Sequence, residues 1–326
     1  MKTIRKIGIF CSGGDSPGMN ACIRAIVKTC LQKKITPIGI YHGYEGLIDG
    51  DFKELTAQDI RNILGLGGTI LKTARSKRFL TLEGRKQAYQ QLQKHQIDAL
   101  IAIGGDGTAK GALTFTNEYP DICMVACPGT IDNDLFGTDY TIGFDTAINT
   151  TMQAIDKIRD TAHSHDRLFF IEVMGRDSGL IALYTGIATG AEAILIPETT
   201  TQIDELVQII QKRWETQKTS CIVVVAEGDE AGGAFEIAKK VSEKYNVYDT
   251  RISVLGHIQR GGSPTCTDRI NASRLGVHAV LALLNGANQV MLGIYKNEIS
   301  YTPFQNAIKE KKSQYLHLLE TFQYLI

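Results

Sequence analysis

Hydrophobic and polar positions along this chain follow one recurring order. A short, wholly apolar run enters a glycine-rich turn, and apolar residues at helical spacing follow. Residues 7–11 (IGIFC) lead into 12–18 (SGGDSPG), and residues 19–33 then carry Cys22, Ile23, Ile26, Val27, Cys30 and Leu31 on one face. Residues 99–103 (ALIAI) lead into 104–108 (GGDGT) and a helical stretch over 109–116; residues 169–173 (FFIEV) lead into 174–179 (MGRDSG) and another over 180–189. Further apolar runs at 37–41, 122–126, 193–196 and 222–226 read as buried strands, and helical periodicity recurs over 203–214 and 269–284. Strands apolar on both faces, alternating with amphipathic helices, predict parallel sheets covered on both sides. The expected fold class is α/β, with two doubly wound, mainly parallel-sheet domains in close contact and ligands in the cleft between them, at the carboxyl ends of their strands. The pattern puts a boundary near residues 140–150 and shows no low-complexity linker or short repeat.

Composition narrows the function without naming it. The 326 residues carry 35 Lys+Arg against 35 Asp+Glu, so no global field favours nucleic acid or an anionic membrane. Any anion site is local. No apolar run reaches the roughly 20 residues a membrane span needs, and the start MKTIRK leads straight into a strand pattern without a signal-peptide core. Seven scattered cysteines, an odd number in mostly apolar surroundings, suit free thiols in a reducing cytoplasm. Cys123 and Cys127 flank three apolar residues and are expected in a buried strand, since no nearby Cys or His completes a metal set.

The turns carry the chemistry. In 12–18, Ser16 and Pro17 signal a helix start, as a cap residue followed by proline at the first helical position. Gly13 and Gly14 then offer backbone N–H groups to a phosphate, although a tight connection needing positive φ explains the same string. Gly104, Gly105, Asp106, Gly107 and Thr108 repeat that form around a carboxylate, and Asp106 suits an oxygen ligand of Mg²⁺. The string Thr130-Ile131-Asp132-Asn133-Asp134 is sharper. On an extended segment Asp132 and Asp134 face one way and repel unless a cation or proton intervenes. One then acts as general base and the other lies near the metal; a cluster of Asx turns is the plainer explanation. Two such strand ends suggest phosphoryl transfer. Arg167, Arg176, Arg251, His257 and Arg260 each lie at a strand end or in a loop, where arginine can grip phosphate bidentately. Singly each reads as solvated surface, but His257-Ile258-Gln259-Arg260 ends in two glycines like the other turns.

Together these segments resemble the ATP-dependent 6-phosphofructokinases of bacterial type. The matching strings are SGGD with PGMN at 12–20, GGDGT at 104–108, PGTIDND at 128–134, TDYTIGF at 138–144, VMGR at 173–176 and GHIQRGGSP at 256–264. They occur in the family's order from about residue 7 to 290, and PGTIDND and GHIQRGG are highly specific. The resemblance implies transfer of the ATP γ-phosphoryl group to the 1-hydroxyl of fructose 6-phosphate, with Mg²⁺. By it Asp132 is the base, with Thr130 and Asp134 assisting, and Asp106 organises the metal. Gly14, Arg75, Ser76, Gly105, Gly107 and Thr108 line the ATP site. Arg176 neutralises the transition state, and Gly14 and Arg75, the latter close to the transferred phosphate, are also counted as catalytic. Met174, Gly175 and Glu227 hold the sugar and Arg167, Arg251, His257 and Arg260 the 6-phosphate, with Thr130, Ile131, Ile258 and Gln259 also in the substrate site. The family's domains correspond to 1–143 plus about 256–306 for ATP and 144–255 plus about 307–326 for fructose 6-phosphate. Its active form is a cytoplasmic homotetramer in which Arg167 and Arg251 serve a site across a subunit interface.

Two departures bear on donor and regulation. Pyrophosphate-using relatives carry Asp at the position of Gly107 and Lys at that of Gly129; both are glycine here, which implies ATP. The family's effector pocket for ADP or phosphoenolpyruvate matches at Arg24, Lys28, Arg159, Glu192 and Lys218, but Ala57 and Thr216 replace a usual arginine and lysine. Blunted allostery is the expectation. An NAD kinase accounts for residues 104–108 alone, and a non-catalytic sensor has no use for both a base and a metal ligand.

Overall fold

The computed structural model describes residues 4–217, 220–310 and 316–325. It divides into two compact units: Met1–Ile131, Leu135–Thr146 and Arg260–Lys312 form the first, and Asp132–Asp134, Ala147–Gln259 and Ser313–Ile326 the second. The first unit runs through β1 (Lys6–Ser12), α1 (Met19–Gln32), β2 (Thr36–Ile40), α2 (Tyr44–Asp49), β3 (Phe52–Glu54), α3 (Leu82–His95), β4 (Ala99–Gly104), α4 (Asp106–Glu118) and β5 (Cys123–Pro128). Helix α5 (Phe144–Ser164) leads into the second unit, with β6 (Leu168–Val173), α6 (Leu180–Thr189), β7 (Ala193–Leu195), α7 (Ile203–Gln217), β8 (Cys221–Ala226), α8 (Ala234–Lys244) and β9 (Thr250–Val254). After a 3₁₀ turn, Gly256–Arg260, the first unit gains α9 (Cys266–Leu284), β10 (Val290–Tyr295), β11 (Glu298–Pro303) and α10 (Phe304–Lys309); α11 (Leu316–Gln323) belongs to the second.

The first unit's sheet has the order β11-β10-β5-β4-β1-β2-β3, parallel except at its two edges, where β10–β11 and β2–β3 pair antiparallel. Alternate side chains feed two cores. Ile9, Cys11, Ile101, Ile103 and Val125 pack with α1 and α9 on one face, and Phe10, Leu100, Ala102 and Met124 pack with Tyr44 and Phe115 on the other. Burial on both faces explains why these strands read as unbroken apolar runs. Helices α1 and α9 approach closely at Gly276, where a Cβ would stand 2.6 Å from the Cys22 carbonyl oxygen. The second unit's sheet, β7-β8-β6-β9, is parallel throughout.

Strand register aligns the turns. Ser12 pairs with Gly104, and Gly104 with Pro128, so three carboxyl-terminal strand ends stand in a row. Strand order reverses between β1 and β4, the switch point where α/β sheets bind ligands. In the second unit Val173 pairs with Ala226 and Glu172 with Val254, which lines up the starts of the 174–179 turn, Glu227 and the 256–260 turn.

Several local expectations are corrected. Ser16 does not cap α1: the helix starts after Gly18, whose φ of 106° makes a left-handed entry without a side-chain cap. Residues 106–108 are no loop but the first turn of α4, with Gly105 as its cap residue. Residues 130–134 are not extended, because Asn133 has φ +50°; alternation therefore does not put Asp132 and Asp134 on one side. The 256–260 segment, expected at a strand end or in a loop, forms a 3₁₀ turn just after β9.

Candidate active site

In the first unit the glycine turns are laced together. Thr108 Oγ1 donates to the Ser12 carbonyl at 3.0 Å, Gly129 N–H to the Gly104 carbonyl at 3.0 Å, and Thr73 Oγ1 to the Gly13 carbonyl at 2.8 Å. Tyr44 Oη donates to the Thr108 carbonyl at 2.7 Å and fixes the start of α4 from below. Thr130 Cβ lies 3.5 Å from the place a Cβ on Gly105 would take. At Gly14 a Cβ would stand 2.7 Å from Arg260 Nη1, so only glycine lets that guanidinium lie on the turn. Arg260 Nη1 also donates to the Asp15 carbonyl at 3.3 Å. Arg75 is exposed, and Ser76 Oγ accepts the Phe79 N–H at 3.0 Å. That bond starts the 3₁₀ turn Arg78–Leu80, whose Phe79 stacks on Tyr44 with ring centroids 3.9 Å apart.

Asp106 occupies the first helical turn of α4, where the positive end of the helix favours a carboxylate. Its side chain is 37% exposed and pairs with Lys110, one turn on, at 2.6 Å. Sequence reading missed Lys110 because an i,i+4 pair reads as an ordinary solvated face. Among the described residues no group of three or more His, Cys, Asp or Glu is arranged for a metal. A single exposed carboxylate still fits Mg²⁺, which characteristically binds through one or two carboxylates together with substrate phosphates. Gly107 has nothing within 4 Å of its absent Cβ, whereas a Cβ on Gly129 would meet Ile103 at 2.9 Å and Met19 at 3.0 Å.

In the second unit Asp132 is 5% exposed and Asp134 is exposed, so the two carboxylates differ in access to water. Ser178 Oγ donates to the Asp132 carbonyl at 3.0 Å. Arg176 is exposed with φ +52° and follows Gly175 at φ +144°. Glu227 Oε1 accepts N–H from Gly175 at 3.3 Å and from Arg176 at 2.9 Å. Gln259, expected in the substrate site, is fully buried; its Oε1 accepts from Met174 N–H at 3.2 Å and Thr151 Oγ1 at 3.1 Å. It holds the 174 turn from beneath. His257 and Ile258 are exposed. Arg167 Nε and Arg251 Nη1 each lie 2.7 Å from Asp249, a bridging carboxylate that the sequence pattern did not single out.

The effector candidates are placed as follows. Arg24 is half-buried and Lys28 exposed on α1. Arg159 Nη2 donates to the Thr189 and Gly190 carbonyls at 2.7 and 3.0 Å. Glu192 accepts the Ile222 N–H at 2.7 Å and pairs with Arg213 at 3.1 Å. Lys218 lies outside the described residues. A cavity of about 500 Å³ is lined by Gly190, Glu192, Lys212, Arg213, Thr216 and Leu325 among others. All seven cysteines are free, six of them buried or partly so and Cys266 exposed. No helix among the described residues is long and apolar enough to cross a membrane.

Mainly parallel α/β sheets, the first ending in laced glycine turns with a carboxylate on the following helix's first turn, suit an α/β phosphotransferase, the class to which the relatives below belong. The chain belongs to the phosphofructokinase family, whose family model (Phosphofructokinase) matches residues 6–283. It is 53% identical over 312 residues, 96% of this chain and 95% of the relative, to ATP-dependent 6-phosphofructokinase 2 of Bacteroides thetaiotaomicron. It is 52% identical over 322 residues, 99% of each, to ATP-dependent 6-phosphofructokinase 1 of Thermus thermophilus. Among solved structures it is similar to phosphofructokinase from Saccharomyces cerevisiae, with 35% identity and a TM-score of 0.90 over 98% of this chain. This chain spans half the length of that yeast chain. A pyrophosphate-dependent phosphofructokinase from Marinobacter aquaeolei, 22% identical at a TM-score of 0.84 over 96% of this chain and 86% of that one, shares the fold.

Proposed function

We propose that this chain transfers the γ-phosphoryl group of ATP to the 1-hydroxyl of fructose 6-phosphate, giving fructose 1,6-bisphosphate and ADP, a committed glycolytic step. The carrying observation is near-complete coverage, 96% and 99% of the chain, by relatives about half identical and named ATP-dependent 6-phosphofructokinases.

The residues divide the work. The Gly14 turn and Gly105 to Thr108, with Arg75 and Ser76, hold the nucleotide on backbone N–H groups and the start of α4. Asp106 would hold Mg²⁺ with the phosphates, and Lys110 would give up its carboxylate partner when it does. A divalent cation held there would supply positive charge against that of the nucleotide's phosphates. Asp132, shielded from bulk water, takes the proton of the sugar 1-hydroxyl, with Thr130 and Asp134 beside it. Arg176, fixed at its backbone by Glu227, neutralises charge that grows on the transferring group. Glu227 keeps its second oxygen for a sugar hydroxyl, next to Met174 and Gly175. Arg167, Arg251, His257 and Arg260 bind the 6-phosphate, and Asp249 keeps the first two guanidinium groups from repelling each other.

Open space at Gly107 favours ATP, because an α-phosphate can approach the backbone there. The reading includes a homotetramer with Arg167 and Arg251 contributed across an interface, in the cytoplasm, where seven free thiols stay reduced. It also includes weak regulation: Arg159 and Glu192 are committed to bonds within the chain, and Ala57 and Thr216 bring no charge. Phosphoenolpyruvate should then shift the fructose 6-phosphate saturation curve little; a strongly sigmoidal response contradicts this.

The test is a coupled assay with ATP, Mg²⁺ and fructose 6-phosphate. Turnover is expected, and Asp132→Ser should lower kcat by about 10²–10⁴-fold, the usual worth of a general base, with nucleotide binding kept. Absence of turnover with ATP, or full turnover in the variant, would overturn the reading or the base assignment respectively.

A further inference from the structure

Two helix starts in the first unit cap each other. Asp145 lies in the first turn of α5 and Asp268 in the first turn of α9, whose cap residue is Thr265. Asp268 is 2% exposed. Its Oδ1 accepts the Gly143 N–H at 2.8 Å, and its Oδ2 accepts the Thr146 N–H at 2.8 Å and Thr146 Oγ1 at 2.5 Å. In return Thr265 Oγ1 donates to Asp145 Oδ2 at 2.5 Å, and Thr265 N–H donates to Thr146 Oγ1 at 3.0 Å. Thr265 Oγ1 also accepts the Asp268 N–H at 3.2 Å. Both hydroxyls thus donate once and accept at least once. The Asp268 carboxylate satisfies N–H groups at the start of α5 that have no partner within their own helix. Both carboxylates complement the positive ends of the two helices.

A serine or threonine would suffice to cap α5. The buried carboxylate does more, because of what Gly143 adjoins. Ile142 N–H donates to the Pro128 carbonyl at 2.8 Å and Ile142 pairs with Gly129. Thr141 Oγ1 donates to the Thr130 carbonyl at 2.5 Å. On the other side, a Cβ on Gly143 would stand 2.5 Å from Ser16 Cβ, and one on Gly18 would stand 2.8 Å from Ile142 Cγ2. Residues 141–143 are therefore wedged between the turn that carries Gly14 and the strand end that leads through Thr130 to Asp132. Asp268 anchors the wedge.

We propose that Asp268 is a positioning residue for phosphoryl transfer, holding residues 141–146 so that the Gly14 turn and the Thr130 segment keep their spacing. This rests on the kinase reading above. Because a displacement of about 1 Å at a reacting centre can cost on the order of 10²-fold in rate, Asp268 acts on kcat without touching substrate.

The test compares three variants with the full wild-type enzyme. Asp268→Asn keeps the shape but turns one acceptor oxygen into a donor facing an N–H group. It should lower kcat about 10- to 100-fold, well below its melting temperature, and change either KM less than about threefold. Amide exchange at residues 129–131 and 141–143 should quicken, a readout independent of turnover. Thr146→Val removes one donor in the same outline and should act the same way more mildly, about 3- to 10-fold in kcat. It carries both measurements if Asp268→Asn does not fold. Arg85→Met, which cuts the tie to Glu118 at the far end of α4, should lower the melting temperature and leave kcat unchanged. If Asp268→Asn behaves like Arg85→Met, or exchange in the two segments does not change, the proposal is wrong. If the wild-type chain does not turn over ATP and fructose 6-phosphate, the kinase reading fails, and exchange alone then decides whether Asp268 holds the segments.

Discussion

Arg176 is held in a backbone conformation that a residue with a Cβ adopts at a cost of about 1 kcal/mol or somewhat more. Its φ of +52° persists because Glu227 Oε1 draws in two consecutive N–H groups, and because Gly228 leaves room for the Arg176 carbonyl, where any Cβ would collide. Strain of this kind collects where position matters more than stability. Arg176→Gly should therefore leave the melting temperature unchanged or slightly raised while kcat falls on the order of 10³-fold. A clear loss of stability would make the side chain structural. Gly107 gives the opposite case. Its φ is not in the left-handed region and no protein atom would meet its Cβ, so neither strain nor packing calls for glycine. Gly107→Asp should fold normally and raise the KM for ATP at least tenfold, because a carboxylate there would crowd and repel the nucleotide's phosphates; an unchanged KM removes this position's part in donor choice. At Gly129 packing also calls for glycine, since Ile103 and Met19 crowd the space beside it. At this scale residue types were legible in the sequence but geometry was not. Asp132 and Asp134 were recognisable as a pair, yet only a left-handed Asn133 decides that one is enclosed and the other exposed.

Elements were legible where burial is one-sided in its demands. β4, β5, β6 and β8 are covered on both faces and read as apolar runs, and α1 and α7 show a clear apolar stripe. Helix α3 gives little signal, since only Gly84, Ala88 and Leu92 of its fourteen residues are buried. The hairpin β10–β11 was hidden for a different reason. Its two-residue turn takes positive φ at Lys296 and Asn297, 49° and 64°, without the Asn-Gly or Asp-Gly pair that usually announces such a turn. What the sequence left out most was how elements are tied. Arg85, on α3, donates from Nε and Nη2 to both oxygens of Glu118 on α4, at 2.6 and 2.7 Å, and from Nη1 to the Phe79 carbonyl at 3.0 Å. At 12% exposure for Arg85, this is a partly desolvated bidentate pair rather than a surface contact. Arg85→Met should cost about 1–3 kcal/mol by denaturant titration, while Arg78→Met, whose side chain is 49% exposed, should cost clearly less. Both guanidinium groups fork onto a carboxylate, so equal losses would show that desolvation of the Arg85 pair contributes nothing here.

For the molecule as a whole, 35 positive and 35 negative side chains balance, so its response to pH depends on individual carboxylates rather than on net charge. Two kinds pull in opposite directions. Asp59 is held down to about 2 by its hydrogen bond to Lys53 and by Thr56. Its contribution is present above the unfolded value near 3.8 and is lost as pH falls through the folded one. Asp268 is pushed up from 3.8 to about 6 because burial outweighs the bonds from Thr146 and Gly143, with nearby Asp145 adding to the rise. A raised carboxylate has the reverse sign: its stability is fully present below about 3.8 and lost as pH rises through about 6. Wild-type enzyme should therefore gain about 1 kcal/mol from this group between pH 7.5 and pH 5, whereas Asp268→Asn has no such group to titrate. All other carboxylates are common to both proteins and cancel in the difference. The melting temperature of wild type minus that of the variant should rise by roughly 1–2 °C on acidification over that interval, measured by calorimetry at matched ionic strength. A difference that stays constant would mean Asp268 is already neutral, or already ionised, across the whole range. A difference that shrinks at low pH would mean that the three donors around it outweigh its burial, and that the carboxylate binds its helix start most tightly when charged.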